Sequence, residues 1–336
     1  MKNSRVTIRD VARVAGVSVA TVSRHLNGSD RILPETLKRV QEAMKDLAFV
    51  PSSSARNLAT NRTGSLGLLL TTISGEFFTP LVSGIEEWAS KGGYSLITAS
   101  TGHATPGPPP LNPQNCDALI VVAQALPPVW FDRWTAEGFP MVVLYEEGPQ
   151  GVPSVTVENR MAMGRMVRHL IADHRRRRFL YLTGPQGNFD AQERESGFWA
   201  ALGQAGIPRH EALVEPGEFD REPARQSVHR VAAEGRIFDA VVAADDESAY
   251  GALQALHELG LRVPEDVSVT GFDDLGFASM LMPALTTVDS PSSLVGKTAV
   301  ELLLAQLAGR PVPSRTVVPT VTRWRSSCGC HPPKTE

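Results

Sequence analysis

The chain has 336 residues, 42% hydrophobic and 21% charged, with a formal net charge of −3 and three cysteines. Those figures allow two or three globular domains and exclude a disordered chain or a disulfide framework, the few cysteines suiting a reducing cytoplasm. No stretch reaches the roughly 18 consecutive apolar residues of a membrane span, and the charged opening MKNSRVTIRDVARVAG lacks the apolar core of a secretory signal.

The charge is unevenly spread. Residues 1–62 hold 11 Lys/Arg against 5 Asp/Glu, whereas the rest of the chain holds 22 against 31. A basic head on an acidic body points to a polyanionic partner for the head.

Within that head, TIRDVARVAGVSVATVSRHLNG predicts two short helices joined by a tight turn. Thr7 and Asp10 form a capping signal, and Ile8, Val11 and Val14 supply an apolar stripe. Ala12 permits a close helix crossing, Gly16 makes the turn, and Ser18 caps a second helix whose Val22 and Leu26 face inward before Gly28 ends it. A third helix follows from Pro34, with Leu37, Val40, Met44 and Leu47 on one face. This order of residues is that of a helix-turn-helix, whose second helix enters the DNA major groove. Its outward face carries Val19, Ala20, Ser23, Arg24, His25 and Asn27. Arg24 suits a bidentate contact to guanine, Val19 and Ala20 suit thymine methyls, and Thr21 and Asn27 suit phosphates. Thr7 and Ser18, at the two helix starts, complete the candidate DNA-contacting set.

TIRDVARVAGVSVATVSRHLNG, followed by ARNL, resembles the opening of the lactose/galactose repressor (LacI/GalR) family of bacterial transcription factors, and the likeness runs through most of the chain. The resemblance implies a homodimer on near-palindromic double-stranded operator DNA, with a small effector altering affinity, and implies that Val19, Ala20 and Arg24 read bases.

Residues 51–63, PSSSARNLATNRT, have the composition of a helix too short to hold itself together, since isolated helices under roughly 12–15 residues are marginal in water. The resemblance makes this segment a hinge helix that folds only on operator DNA, beside its twin from the other subunit. It implies that Leu58 wedges into the minor groove and that Arg56 meets the backbone. Apolar wedges that kink a duplex are a known minor-groove device, and ordering that depends on a partner makes binding conditional.

From Gly64 the pattern becomes short apolar runs (SLGLLLTT, YSLITAS, CDALIVVA, PMVVLYE, SVTVEN, RFLYLTG, FDAVVAAD, VSVTGFDD) alternating with amphipathic segments. This predicts parallel α/β sheets covered on both faces, divided between two subdomains, with ligand at the carboxyl ends of the strands. The domain expectation is a DNA-binding head over 1–50, a hinge over 51–63, an effector-binding and dimerisation body over 64–326, and a tail over 327–336.

The resemblance sharpens the body into a periplasmic-binding-protein-like clamshell, so the expected fold is an all-α helix-turn-helix head plus an α/β two-subdomain clamshell. Carried over position by position, it sets Phe77 and Phe78 at the cleft lip, Arg194 as a clamp on effector oxygens, and Phe219 as a stacking ring. Asp245 and Asp273 become polar contacts, with Asn188 and Asp190 beside them. Carboxylates, an arginine fork and aromatic faces suit a sugar's hydroxyls and apolar faces. A nucleoside or purine would also use an aromatic pair, and a sugar-binding protein without DNA regulation is a further alternative. Asp245 stands where asparagine is common, which adds an acceptor and favours a hydroxyl-rich or cationic ligand.

Three stretches depart from this pattern or invite other readings. Five prolines between Pro106 and Pro113 exclude a regular helix between the second and third strands. Arg175–Arg178 form a basic run expected to be a solvated turn at a helix end. Cys328, Cys330 and His331 lie close together, but Cys-x-Cys lacks the paired ligand sets of a structural zinc site, and a disordered tail is expected. No nucleophile–base set, metal site or cofactor motif stands out. The acid pairs Asp245–Asp246 and Asp273–Asp274 could suggest glycosidase chemistry, but a binding cleft explains them more simply. The expected protein is a cytoplasmic, effector-controlled DNA-binding repressor rather than an enzyme.

Overall fold

The computed structural model describes residues 6–26, 32–49, 62–102 and 107–330. They form two compact units, Met1–Gly64 and Ser65–Glu336.

The first unit is a small three-helix packing of α1 (Ile8–Ala15), α2 (Val19–Leu26) and α3 (Pro34–Asp46). The carboxylate of Asp10 holds the start of α1 by accepting from the Thr7 amide at 3.0 Å and the Thr7 hydroxyl at 2.7 Å. Gly16 ends the helix at φ 63°, and the Val17 amide reaches back to the Ala12 carbonyl at 3.0 Å, closing the turn. Ser18 Oγ accepts the Thr21 amide at 3.2 Å and so caps α2. Val11, Ala12, Ala15, Val22, Val40 and Ala43 make the core, with Leu26, Met44 and Leu47 packed at its edge. Val14 is 50% exposed, against the expectation that it joins the stripe. The half-buried Ile8 and the buried Val11, Ala12 and Ala15 follow the i, i+3, i+4, i+7 spacing of one helix face, and Val14 falls beside that face.

The second unit runs β1 (Ser65–Leu70), α4 (Phe78–Lys91), β2 (Ser95–Ser100), β3 (Ala118–Val122), α5 (Pro128–Ala136), β4 (Met141–Leu144), β5 (Ser154–Val157), α6 (Asn159–Ala172), β6 (Phe179–Thr183), α7 (Phe189–Gln204), β7 (Leu213–Pro216), α8 (Arg221–Ala233), β8 (Ala240–Ala243), α9 (Asp246–Glu258), β9 (Ser268–Thr270), β10 (Thr287–Asp289), α10 (Ser292–Leu307), β11 (Arg315–Val318) and β12 (Val321–Arg323). A short 3₁₀ turn, Ser326–Cys328, follows β12.

Two parallel sheets divide this unit into lobes. Lobe 1 has the order β11-β5-β4-β3-β1-β2 and lobe 2 the order β7-β6-β8-β9. β3, β4 and β8 are buried along their whole length, as strands covered by helices on both faces must be. Helices pair closely where a glycine removes the side chain: a Cβ at Gly197 of α7 would stand 2.2 Å from the Arg160 carbonyl oxygen of α6. The chain crosses between lobes three times, after β5, after β10 and after β11, and β10 and β12 pair antiparallel beside two of these crossings.

Residues 107–117 form no helix. Leu111 and Cys116 fill the space against β1 instead, both almost fully buried, and a Cβ at Gly67 would lie 3.0 Å from Cys116 Sγ. Burial pushes the Cys116 thiol up to about 12. The basic run 175–178 is only partly the solvated turn expected of it. Arg176 donates to Ser268 Oγ at 2.9 Å and also to the Pro264 carbonyl, and the Arg177 and Arg178 amides bind Asp239 at 3.1 and 2.9 Å. The chain also stays packed beyond residue 327. Ser327 and Cys328 are completely buried, Ser327 Oγ donating to the Val269 carbonyl at 2.6 Å. His331 lies outside the described residues. Among the described residues no helix is long and apolar enough to cross a membrane.

Candidate functional site

On the first unit, α2 presents Val19, Ala20 and Arg24 as exposed side chains, with Thr21, Ser23 and His25 half-buried. Val19 is 42% exposed, an apolar residue left in water on a helix whose core position is held by Val22. Thr7 and Ser18 sit at the helix starts: the Thr7 hydroxyl is engaged by Asp10, and Ser18 Oγ lies 2.9 Å from Thr21 Oγ1. These two act locally as helix-start groups, and the Thr21 hydroxyl shares in the second. Asn27, Arg56 and Leu58 lie outside the described residues.

In the second unit a cavity of about 400 Å³ opens between the lobes, at the carboxyl ends of β1, β3, β6 and β8. Phe77, Phe78, Asn188, Asp190, Arg194, Phe219, Asp245 and Asp273 all line it. Sequence positions spread over almost 200 residues converge because strand ends and helix starts meet there. The lobes also touch across the cleft, where Gln124 Nε2 donates to the Gly187 carbonyl at 3.1 Å.

Arg194 is the centre of the polar floor. Its side chain is 2% exposed and lies against Phe272, 3.8 Å from the ring centroid. The guanidinium donates to Asp273 at 3.0 and 3.4 Å, to the Ala244 carbonyl at 2.7 Å and to Asn159 Oδ1 at 2.9 Å. Asp190 lies 3.9 Å away and accepts from Asn159 Nδ2 at 2.7 Å. Most of the fork is therefore occupied. These bonds set Asp273 and Asp190 in place at the cavity, which Arg194 itself also lines.

Asn188 and Asp245 each cap a helix. Asn188 Oδ1 accepts the Ala191 amide at 2.9 Å, and Asp245 accepts the Ser248 and Glu247 amides at 3.1 and 3.2 Å. Burial pushes the Asp190 carboxyl up to about 6 and the Asp245 carboxyl up to about 7. Burial likewise raises Asp273, with the Arg194 guanidinium pulling the other way. The floor thus holds one fixed cation and three carboxyls reluctant to ionise together, so it can both accept and donate hydrogen bonds.

Each adjacent acid pair is divided. Asp246 is fully buried, accepting from Thr287 Oγ1 at 2.5 Å and from the Leu275 amide at 2.8 Å, and so holds the loop that carries Asp273. Asp274 pairs with Arg325 at 2.7 Å. Only one member of each pair reaches the cavity.

The walls are aromatic. Phe77 meets Phe78 edge-on at 5.3 Å between centroids and tilts against Tyr145 at 5.1 Å. Phe219, at φ 56°, lies over Gly184, where a Cβ would stand 2.4 Å from the ring. Sequence reasoning missed Asn159, Tyr145, Thr71, Thr72 and Glu247. The two threonines directly follow β1, so the rule that ligands sit beyond strand carboxyl ends could have found them. Asn159 carries no such signal, because its role exists only through Arg194 and Asp190.

Comparisons with known proteins agree with this architecture. Residues 7–52 match the model of bacterial regulatory proteins of the lacI family, and residues 167–328 match a periplasmic binding protein-like domain. The HTH-type transcriptional regulator GalR of Escherichia coli (strain K12) is 34% identical over 328 residues, covering 95% of each chain. The crystal structure of the Lac repressor dimer bound to operator and the anti-inducer ONPF has a TM-score of 0.84 at 25% identity, covering 97% of this chain and 99% of that one. A structure of the transcriptional regulator CelR in complex with cellobiose has a TM-score of 0.69 at 28% identity, covering 96% and 100%. With a helix-turn-helix head, a two-lobed α/β body and full-length relatives of this kind, the chain belongs to the lacI family of bacterial regulatory proteins and is a DNA-binding transcription regulator.

Proposed function

We propose that this regulator is a cytoplasmic homodimeric repressor whose affinity for a near-palindromic operator is set by a sugar or sugar derivative held in the cleft. The observation that carries the reading is the composition of the cavity: Arg194, Asp190, Asp245 and Asp273 beneath the rings of Phe77, Phe78, Tyr145 and Phe219. A sugar offers hydroxyls that donate and accept in turn and C–H faces that lie on aromatic rings, so it matches such a floor and walls. A volume of about 400 Å³ suits a small ligand. The CelR relative, solved with cellobiose, supports the same class.

In this reading Val19, Ala20 and Arg24 read base edges, Thr7, Ser18, Thr21, Ser23 and Asn27 meet the backbone and flanking groups, and Arg56 and Leu58 act at the operator centre. Closure of the lobes on a ligand shifts the equilibrium between operator-binding and released forms by the ligand's difference in affinity for the two. The test is a thermal-shift screen against mono- and disaccharides, sugar phosphates and nucleosides, followed by an operator titration with and without each hit. A sugar that raises the melting temperature and moves the operator affinity supports the reading. A nucleoside or purine that does so while no sugar does overturns it.

A further inference from the structure

Four side chains outside the cleft converge on one point of lobe 2. They are His169 in the last turn of α6, His174 in the turn after it, and Cys328 and Cys330 beyond β12. One ligand-type atom from each lies within 4.8 Å of all the others, the only such cluster of histidine, cysteine and carboxylate groups among the described residues. The structure assigns these four residues as a Cys₂His₂ site for a zinc-class divalent cation, which fastens the end of the described chain to α6.

The separations bracket those of a tetrahedral shell, with Cys328 the ligand that has farthest to come. With bonds of about 2.3 Å to sulfur and about 2.0–2.1 Å to nitrogen, tetrahedral ligands stand about 3.3 Å apart for two nitrogens and about 3.5–3.8 Å where sulfur takes part. Here the two Nε2 atoms are 3.0 Å apart, Cys330 Sγ lies 3.2 Å from His169 Nε2 and 3.4 Å from His174 Nε2, and Cys328 Sγ lies 4.0 Å from His169 Nε2. Two imidazole nitrogens and two sulfurs turned toward one another make a poor hydrogen-bond set and a good ligand set.

The surroundings hold the ligands in place. His169 Nδ1 lies 2.5 Å from Asp173 Oδ2, the carboxylate–histidine arrangement that leaves Nε2 free to coordinate. The Trp324 ring packs over His169 at 3.8 Å between centroids. Gly329, at φ 106°, has no room for a side chain, since a Cβ there would meet His174 Nδ1 at 2.9 Å. The Thr286 hydroxyl lies 3.1 Å from Cys328 Sγ. Binding displaces the two thiol protons to solvent and leaves two thiolates and two neutral imidazoles around the cation. α6 starts at the cleft with Asn159 and reaches His169 ten residues later, about 15 Å along a helix rising 1.5 Å per residue, so the metal would sit at the far end of lobe 2 from the effector.

The experiment uses reduced, chelator-stripped, untagged full-length protein titrated with Co²⁺ and then Zn²⁺. The expected result is one Co²⁺ per protomer, with thiolate-to-metal charge transfer and the intense visible bands of a tetrahedral centre, bleached by Zn²⁺, together with a zinc-dependent rise in melting temperature. Cys330→Ser and His174→Asn, both only half-buried positions, should remove the visible bands and weaken zinc binding at least tenfold while circular dichroism shows a folded chain. Asp173→Asn should weaken zinc binding by about 10- to 100-fold, and a chain ending at Cys330 should bind as the full one does. Substoichiometric binding, a weak octahedral spectrum, or binding unaltered by Cys330→Ser and His174→Asn would overturn the assignment. So would a Cys328–Cys330 disulfide that re-forms in air in the presence of zinc.

Discussion

Arg194 and Asp273 form a two-pronged ion pair, 3.0 and 3.4 Å, at which the two side chains are 2% and 9% exposed. A pair so withdrawn from water serves binding only while both members are present, because either one alone is an uncompensated buried charge. Arg194→Ala is therefore expected to abolish the effector response and also to destabilise the body by about 3–5 kcal/mol, read by urea unfolding. Asp273→Asn keeps the shape but strips the guanidinium of its charge partner, so it should remove the response at some cost in stability while basal operator binding persists. An unchanged dose response in either variant would refute the site assignment.

The raised carboxyls give the stability a definite pH slope. Burial pushes the Asp245 carboxyl up to about 7 in the folded chain, against the ordinary aspartate value of about 3.9 in an unfolded one. Between those values the unfolded chain has lost the proton that the folded chain retains, so stability declines as pH rises from about 4 to about 7 and then levels. Asp245→Asn keeps an acceptor for the Ser248 amide and removes the titration. Its stability relative to the parent should therefore improve steadily across that window, by up to about 1.4 kcal/mol per pH unit. Paired urea titrations at pH 4.5, 5.5 and 7 measure it, and a constant difference between the two proteins would contradict the proposed burial effect.

Gly184→Ala tests the aromatic wall without touching a polar group. The added methyl would stand 2.4 Å from the Phe219 ring, so the ring must leave its seat. Effector affinity is expected to fall about tenfold or more, measured by calorimetry, with operator binding in the absence of effector unaltered. Phe219→Ala in the same assay should match it. Full affinity in both would remove Phe219 from the site.

On the DNA side, Arg24→Ala is expected to cost about 1–3 kcal/mol of operator affinity and to relax base preference at one position of each half-site. Leu58→Ala should lower operator affinity and DNA bending together while leaving effector binding intact. Fluorescence anisotropy with scrambled half-sites reads the first, and end-to-end energy transfer on labelled operator reads the second. A fully bent complex of parental affinity with Leu58→Ala would count against the wedge.

What could be read from the sequence tracks the range of the interactions involved. The head was legible because Thr7, Asp10, Gly16 and Ser18 act on neighbours one to four residues away. Even there Val14 misled, since apolarity alone does not say on which side of a short helix a residue falls. The parallel strands were legible from unbroken apolar runs such as ALIVV and AVVA. The eight cleft residues line one cavity, but the bonds that hold them there were not legible. The Arg194 fork is largely filled by Asp273, the Ala244 carbonyl and Asn159, and Asp245 is first a helix cap. Those partners lie 35 to 79 residues from Arg194. The cysteine pair shows the same limit: its histidines stand 156 and 161 residues upstream of Cys330, beyond any spacing rule for a local motif.

The three strand crossings have a consequence for how such a receptor can be altered. Neither half of the clamshell is a contiguous stretch of gene: α10 and β11 return to the first half after most of the second is complete, and β12 goes back again. A sensor domain of new specificity therefore cannot be grafted by exchanging one half with a single splice. It has to be transplanted whole from residue 65 onward, or re-cut in place at the cavity lining. A premature stop after Val318 would leave the first half with all six of its strands and strip the second of its closing segment and both terminal thiols.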